Sequence, residues 1–427
     1  MKNLNEDDDW YKLDNAAKLY PAIIGKKNSC VFRTSMELNK RIVPSCLQQA
    51  IIDLKPRFPS MYVKLKPGIF WYYFEKNDKD PILKEETPIM NEYIDLANNN
   101  DYRFTVFYFN NRISLECFHS LCDGFGALEF LKAIVYRYLE LVGNEMTTEK
   151  KVISIHQKYK KEEIEDSFEK NYTKTIKKYK SVPKGYHIND IHFPGYSDVA
   201  IISGKIKTTQ LLKLAHDNNA TITQYLASIL TLSIYKAYKD DVTKPINICI
   251  TMNIRKIFNS KTLRNFSLFF YTSVDFKEKK KFNDILDKIK NDFEKEIDKE
   301  KLQSNINYNV SKEKNVLLQI CPLFIKNIAL KIASYVFGNS LNTMIISNLG
   351  NIDIPSSMQK HIKNASLNFS GNYSTSNNMG IASCNGTTVI SFSRTIYSSN
   401  IEKEFFKFLS EKGIDIEIES NMLESYL

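Results

Sequence analysis

The residues whose types and spacing could do chemistry are concentrated in one short stretch, Cys117-Phe118-His119-Ser120-Leu121-Cys122-Asp123-Gly124. A histidine, with its near-neutral pKa, can take a proton from a hydroxyl, amine or thiol and return it to a leaving group, which acyl transfer from a thioester requires. The same residues admit a structural reading, in which backbone satisfies His119 at a strand end, Asp123 caps the following helix and Gly124 eases the turn. Cys117, His119 and Cys122 could begin a metal site, but further closely spaced Cys or His ligands to complete a tetrahedral set are not nearby, so no metal is expected. Cys122 as nucleophile with His119 as its base is chemically open, although a short loop separation does not by itself establish the geometry. No stretch matches a phosphate loop, a dinucleotide fingerprint or a nucleophile elbow.

The elements that must position these residues are a hairpin in front and a helix behind. Arg103 to Phe109 and Ile113 to His119 read as strands around an Asn110-Asn111 turn, with Ile113, Leu115, Cys117 and His119 on one face. From Phe125 to Leu141, Ala127, Leu128, Leu131, Ile134, Val135 and Tyr138 recur at helical spacing. Earlier in the chain, Lys12 to Tyr20 predicts a short helix with Asp14 as N-cap and Pro21 as its stop. A strand at Ser29 to Met36 and a helix at Val43 to Leu54, opening at Ser45, follow. Met61 to Leu65 and Ile69 to Glu75 read as a second hairpin. Past the first helix, residues 144–187 turn to Lys and Glu and suit a solvated crossover.

A second globular stretch begins near Phe193. It carries strands at Asp198 to Ile206, Ile246 to Met252, Leu268 to Phe276 and Thr343 to Ser347. Helices are expected at Thr208 to Asp217, from Thr221 or Thr223 to Tyr238, at Phe282 to Leu302, and in Leu317 to Phe337 with a break at Pro322. The strands at Met379 to Ser383 and Thr388 to Ser393 flank Asn385-Gly386, a type I′ dipeptide, and a helix at Asn400 to Lys412 follows. Hairpin, loop and helix thus occur in both halves, which suggests two divergent copies of one unit, the later one without a histidine.

Length and composition bound the rest. A chain of 427 residues exceeds what one core usually organises, so two lobes are expected: 1–145 with the histidine stretch, a crossover at 146–192, and 193–427. Hydrophobic residues at 43% and charged residues at 25% are ordinary globular values. Seven scattered cysteines and an acidic N-terminus unlike a signal peptide predict a reducing, cytoplasmic setting, and no apolar run is long enough for a membrane span. The net charge of +10 suits an anionic ligand, a nucleic acid or an acidic surface without choosing among them. The basic stretch Lys174 to Tyr186 lies beside Glu162, Glu163, Glu165, Asp166 and Glu169, so no nucleic-acid partner is expected.

His119-Ser120-Leu121-Cys122-Asp123-Gly124 resembles HxxxDG, the core of the HHxxxDG signature of the chloramphenicol acetyltransferase-like superfamily, which includes alcohol acetyltransferases and peptide-synthetase condensation domains. Other stretches resemble bacterial alcohol acetyltransferase-like members in the same order: Leu13 to Pro21, Phe70-Trp71 to Glu75, Asn253-Ile254-Arg255-Lys256, Leu263-Arg264-Asn265-Phe266 and Ser347-Asn348-Leu349-Gly350. The resemblance implies an α/β (α+β) fold of two lobes, each a mixed sheet with flanking helices, and a tunnel between them. It implies His119 as general base, Asp123 in a structural role with Gly124, Arg255 as the aspartate's partner from the other lobe, and Asn348 or a nearby N–H as a candidate oxyanion donor. Phe118 stands where the fuller signature has its first histidine, and the plant motif DFGWG is absent, Asn368-Phe369-Ser370-Gly371 being a loose counterpart. The expected function is transfer of an acyl group from acyl-CoA, a substrate and not a resident cofactor, to a small alcohol or amine acceptor. The alternatives are an acyl donor carried on a carrier protein and a non-catalytic binding protein of the same fold.

Overall fold

The computed structural model describes residues 10–25, 27–87, 96–177, 182–195, 198–334 and 340–422. The N-terminal part runs β1 (Trp10–Lys12), α1 (Tyr20–Ile23), β2 (Val31–Leu38), α2 (Pro44–Asp53), β3 (Val63–Pro67), β4 (Tyr72–Lys76), β5 (Leu83–Glu85), β6 (Phe104–Phe109), β7 (Arg112–Phe118) and α3 (Gly124–Leu141). Among its described residues the crossover holds a 3-10 turn (Lys161–Glu163) and a short helix, α4 (Ser167–Lys170). Then come β8 (Ala200–Lys207), α5 (Thr208–Asp217), α6 (Ile222–Ala237), β9 (Ile246–Asn253), β10 (Ser267–Val274), α7 (Phe282–Glu296), α8 (Lys299–Glu313), α9 (Val316–Ile320) and α10 (Leu323–Ala333). The chain closes with β11 (Met344–Asn351), α11 (Ser356–Gln359), β12 (Ile362–Phe369), β13 (Asn377–Cys384), β14 (Thr387–Arg394), α12 (Asn400–Glu411) and β15 (Glu417–Ser420).

Two sheets carry the architecture. The first has the order β12-β2-β7-β6-β5 and the second β10-β9-β11-β13-β14-β8-β15, while β1-β4-β3 forms a small third sheet. Both large sheets are mixed: β5 runs parallel to β6, and β11 runs parallel to β9 and β13. Two apolar cores match them, one centred on α3, β2 and β7, the other on α6, β9 and β14. The structure is therefore the two-lobed mixed α/β arrangement expected from the sequence. One feature of it is non-local: β12, from the C-terminal half, pairs with β2 from Phe369 opposite Phe32 to Ile362 opposite Leu38.

Several expected elements change where local signals compete. Pro21 does not stop a helix; it occupies the first turn of α1, where a missing N–H costs nothing. The helix over Val43 to Leu54 starts at Pro44 without a side-chain cap, so Ser45 is not its N-cap. The expected helix Phe282 to Leu302 is two helices, because Asp298 accepts from Lys301 N and opens α8. In Leu317 to Phe337 the break falls at Pro322 as expected, and residues 335–337 lie outside the described ones. The two Asn-led turns behave as their chemistry requires, Asn110, Asn385 and Gly386 all having positive φ.

Candidate active site

His119 follows the last residue of β7, and its backbone N–H donates to Cys30 O at 2.9 Å, just before β2. Cys30 itself has φ +52, an uncommon conformation for a non-glycine residue that turns its carbonyl toward this bond. The imidazole stacks on Tyr20 of α1 with centroids 4.3 Å apart, and Phe32 lies 5.1 Å away at a tilt. The histidine as a whole residue is half-buried. Burial pushes its pKa below the ordinary histidine range, outweighing the Asp123 charge and the hydrogen bonds that favour the imidazolium.

Nδ1 of His119 lies 3.1 Å from Asn265 Oδ1, and Asn265 Nδ2 donates to Asp14 Oδ2 at 3.2 Å. Asp14 also accepts from Ala17 N at 2.8 Å, and Arg264 Nε stands 3.5 Å away. Burial pushes the Asp14 carboxyl up, against the Arg264 charge and the Ala17 and Asn265 hydrogen bonds; its Oδ2 accepts from the Asn265 nitrogen, and this orientation turns the amide oxygen to His119. Nδ1 then carries the ring proton and Nε2 keeps its lone pair. The three residues are separated by 146 and 251 positions in sequence.

Asp123 has two jobs. As N-cap of α3 it accepts from Gly126 N at 3.1 Å. It also pairs with Arg255 through two bonds, Nη1 to Oδ2 at 2.8 Å and Nη2 to Oδ1 at 3.0 Å, both groups being buried. Phe266 N and Ser267 Oγ add donors to Oδ2 at 2.9 and 2.6 Å. Burial pushes the carboxyl up, but the Arg255 charge and these hydrogen bonds hold it below the usual carboxylate range. Arg255 spends all its donors here: Nε goes to Thr262 O at 2.7 Å, and the remaining Nη hydrogens reach Asn253 Oδ1 and Arg264 O. Its guanidinium also sits 4.5 Å from the Phe125 ring. The loop 253–266, which carries Asn265, is thus folded around Arg255 and tied to the start of α3.

The glycines explain how that loop comes so close. A Cβ on Gly124 would meet Leu349 Cδ2 at 3.0 Å, so β11 reaches the helix start. A Cβ on Gly126 would lie 1.9 Å from Leu263 O and 2.8 Å from Cys122 Cβ, an overlap with backbone that nothing can relieve. Asn348, in the irregular part of β11, donates from Nδ2 to Thr223 Oγ1 at 2.9 Å and accepts from Gly350 N at 2.7 Å. One amide hydrogen of Asn348 remains beyond the Thr223 bond. Cys122 is ill-suited as a nucleophile: its hydrogen bond with Cys117 and its burial hold the thiol well above its ordinary pKa. Among the described residues, no three His, Cys, Asp or Glu side chains converge on one point.

A cleft of about 590 Å³ is lined from both large sheets, by Ser35, Glu37, Arg112 and Ser366 on one side and Ser203 and Lys205 on the other. It lies at the Arg112 end of β7, about 20 Å along the strand from His119. His119 does not line it.

No family model and no curated protein matches the sequence. Solved structures do. TRI101 of F. graminearum, solved with coenzyme A and deoxynivalenol, superposes with a TM-score of 0.60 at 10% identity over 95% of this chain and 99% of its own. The first condensation domain of the CDA synthetase gives 0.58 at 10% identity over 95% and 96%. Polyketide synthase associated protein 5 from Mycobacterium tuberculosis gives 0.55 at 11% over 93% and 96%. The chain thus shares the fold of these proteins. Within this fold, the structure brings His119, Asp123, Gly124 and Arg255 into one connected assembly. It adds Asn265, Asp14 and Gly126, to which the sequence reading gave no role at the site. A signal for Gly126 was present, since two glycines at the start of a helix disfavour it unless something must pack close.

Proposed function

We propose that the protein is an acyltransferase that moves an acyl group from acyl-CoA to the hydroxyl or amine of a small acceptor, with His119 as general base. The observation that carries this reading is the chain His119–Asn265–Asp14, which supports Nε2 as the basic nitrogen of the imidazole. The acceptor O–H or N–H gives its proton to Nε2 while its heteroatom attacks the thioester carbonyl. The tetrahedral intermediate then collapses, the C–S bond breaks, and the imidazolium returns the proton to the departing thiolate sulfur. Asn348, with its remaining amide hydrogen, is the candidate donor to the oxyanion. Asp123, Gly124 and Arg255 act structurally, by holding the loop that carries Asn265 against the start of α3. Coenzyme A in the TRI101 structures, which share the fold, supports a CoA thioester as donor.

The condensation domains among the solved structures of this fold favour a second reading, in which the acyl group arrives on a carrier-protein arm. Thiol release measured with a series of acyl-CoA lengths and a panel of alcohols and amines tests the first reading. A parallel reaction with acyl-carrier protein separates the two. Turnover with acyl-CoA is the expected result; turnover with the carrier alone selects the second reading. Absence of turnover with every donor and acceptor leaves a binding protein of this fold.

A further inference from the structure

Helix α10 is built inside out. At about 100° per residue, Phe324, Ile325, Ile328 and Ile332 fall within one arc of roughly a quarter turn. That arc faces solvent, with Phe324 67%, Ile328 60% and Ile332 59% exposed. The buried side holds the cation instead: Lys326 Nζ donates to Phe70 O at 2.8 Å and sits 3.7 Å from the Trp71 ring. Leu323 N donates to Ile69 O at 2.9 Å, so α10 is fastened to the β3–β4 turn, where Ile69 and Phe70 are also exposed. Leu317 and Ile320 of α9 continue the apolar surface. A contiguous patch of this kind on a chain otherwise packed normally marks a binding surface.

The charges carried by α9, α10 and the segment after them are of one sign. Between residues 315 and 352 the chain contains no Asp or Glu, and its only charged residues are Lys326 and Lys331. Lys331 is exposed beside the apolar arc and Lys66 precedes the β3–β4 turn, while just before α9 Lys314 pairs with Glu169 and Glu313 with Lys18. We propose that this face, α9, α10 and the β3–β4 turn, docks peripherally on an anionic phospholipid bilayer. Its apolar side chains enter the acyl boundary and the flanking lysines meet the headgroups. A second copy of the chain is a poorer occupant, because two such faces related by a two-fold axis would bring lysine rims together. The described residues include no helix long and apolar enough to span a membrane, so the contact is interfacial. Helix α1, whose Tyr20 stacks on His119, packs against α10. On the acyl-transfer reading, and only on it, this places the surface one helix away from the base and favours an acceptor that partitions into lipid.

Flotation of the full-length protein with phosphatidylglycerol/phosphatidylcholine vesicles, against pure phosphatidylcholine vesicles, tests the docking without any assay of activity. The expected result is at least tenfold more bound protein on the anionic vesicles and a fall as salt is raised. Phe324→Glu with Ile328→Glu, both at exposed positions, should reduce binding at least tenfold with unchanged thermal unfolding. Leu212→Glu, exposed on α5, should leave binding unchanged. The proposal is overturned if the wild type floats no better with vesicles than without, or if the double variant floats like wild type. It is equally overturned if the wild type is a dimer that the double variant dissociates while neither floats. Turnover of a short water-soluble alcohol should be equal in wild type and double variant, so a failure of docking and a failure of the acyl-transfer reading appear in separate assays.

Discussion

Replacing Arg255 with alanine strikes the link between the two halves of the chain where it is most concentrated. The change leaves Asp123 buried and ionised, with Ser267, Phe266 N and Gly126 N as its remaining donors. It also releases the carbonyls of Thr262 and Arg264 that Arg255 gathers. Breaking a buried ion pair from one side costs about 3–5 kcal/mol. With an unfolding entropy of about 2.1 cal/mol/K per residue, a chain of this length unfolding as one unit loses roughly 3–6 °C in Tm. Pairing Arg255→Ala with Asp123→Asn separates loss of contact from stranded charge. The double variant should fall short of the summed single effects by at least about 1 kcal/mol, measured by urea and thermal unfolding. The sign with pH also follows. Asp123 is held below its usual range, so its contribution is present above the unfolded carboxylate pKa of about 4 and is lost as pH falls through the lower folded value. That acid-side loss should shrink in Arg255→Ala. Additivity within about 0.5 kcal/mol, together with an unchanged acid limb, would refute the reasoning.

Three further outcomes follow from the same geometry. Asn265→Leu should lower kcat by about 10- to 100-fold with KM for acyl-CoA little changed, whereas Asn265→Gln should restore part of the rate; equal losses in both variants would remove the amide from the account. Gly126→Ala should destabilise the fold by about 2–3 kcal/mol, since its Cβ would meet the Leu263 carbonyl at 1.9 Å, while Gly124→Ala, facing only the end of the Leu349 side chain, should cost clearly less. Comparable Tm values for the two variants would contradict this. The pH profile of kcat/KM should be flat from neutrality upward into mild alkali and fall on the acid side, through a midpoint below the ordinary histidine value of about 6.5, because burial favours the neutral imidazole. A midpoint above 7 would show that His119 is not the titrating base.

The parts of this structure that were legible in the sequence are those fixed by neighbours in the chain. The capping role of Asp123, the Asn385-Gly386 turn and the span of α5 each depend on a few adjacent residues, and each stands in the structure as read. The pairing of Asp123 with Arg255 came from the family resemblance and a strand end that aims a charge at the other lobe. The register of β12 on β2 was hidden because pairing across more than 300 residues leaves no local periodicity. Asn265 and Asp14 were hidden for the same reason: each lay in a stretch already singled out, yet the contacts of Asn265 with His119 and with Asp14 exist only once the loop 253–266 wraps Arg255. Pro21 misled because proline both ends helices and suits their first turn.

The most direct test of the central claim is the rate of free CoA release by His119→Ala beside wild type. It should be made with the best donor and acceptor pair, after matching the two proteins for Tm and for acyl-CoA binding. The account predicts a fall of about 10²- to 10⁴-fold in kcat with acyl-CoA affinity retained. Unchanged turnover in His119→Ala would contradict it.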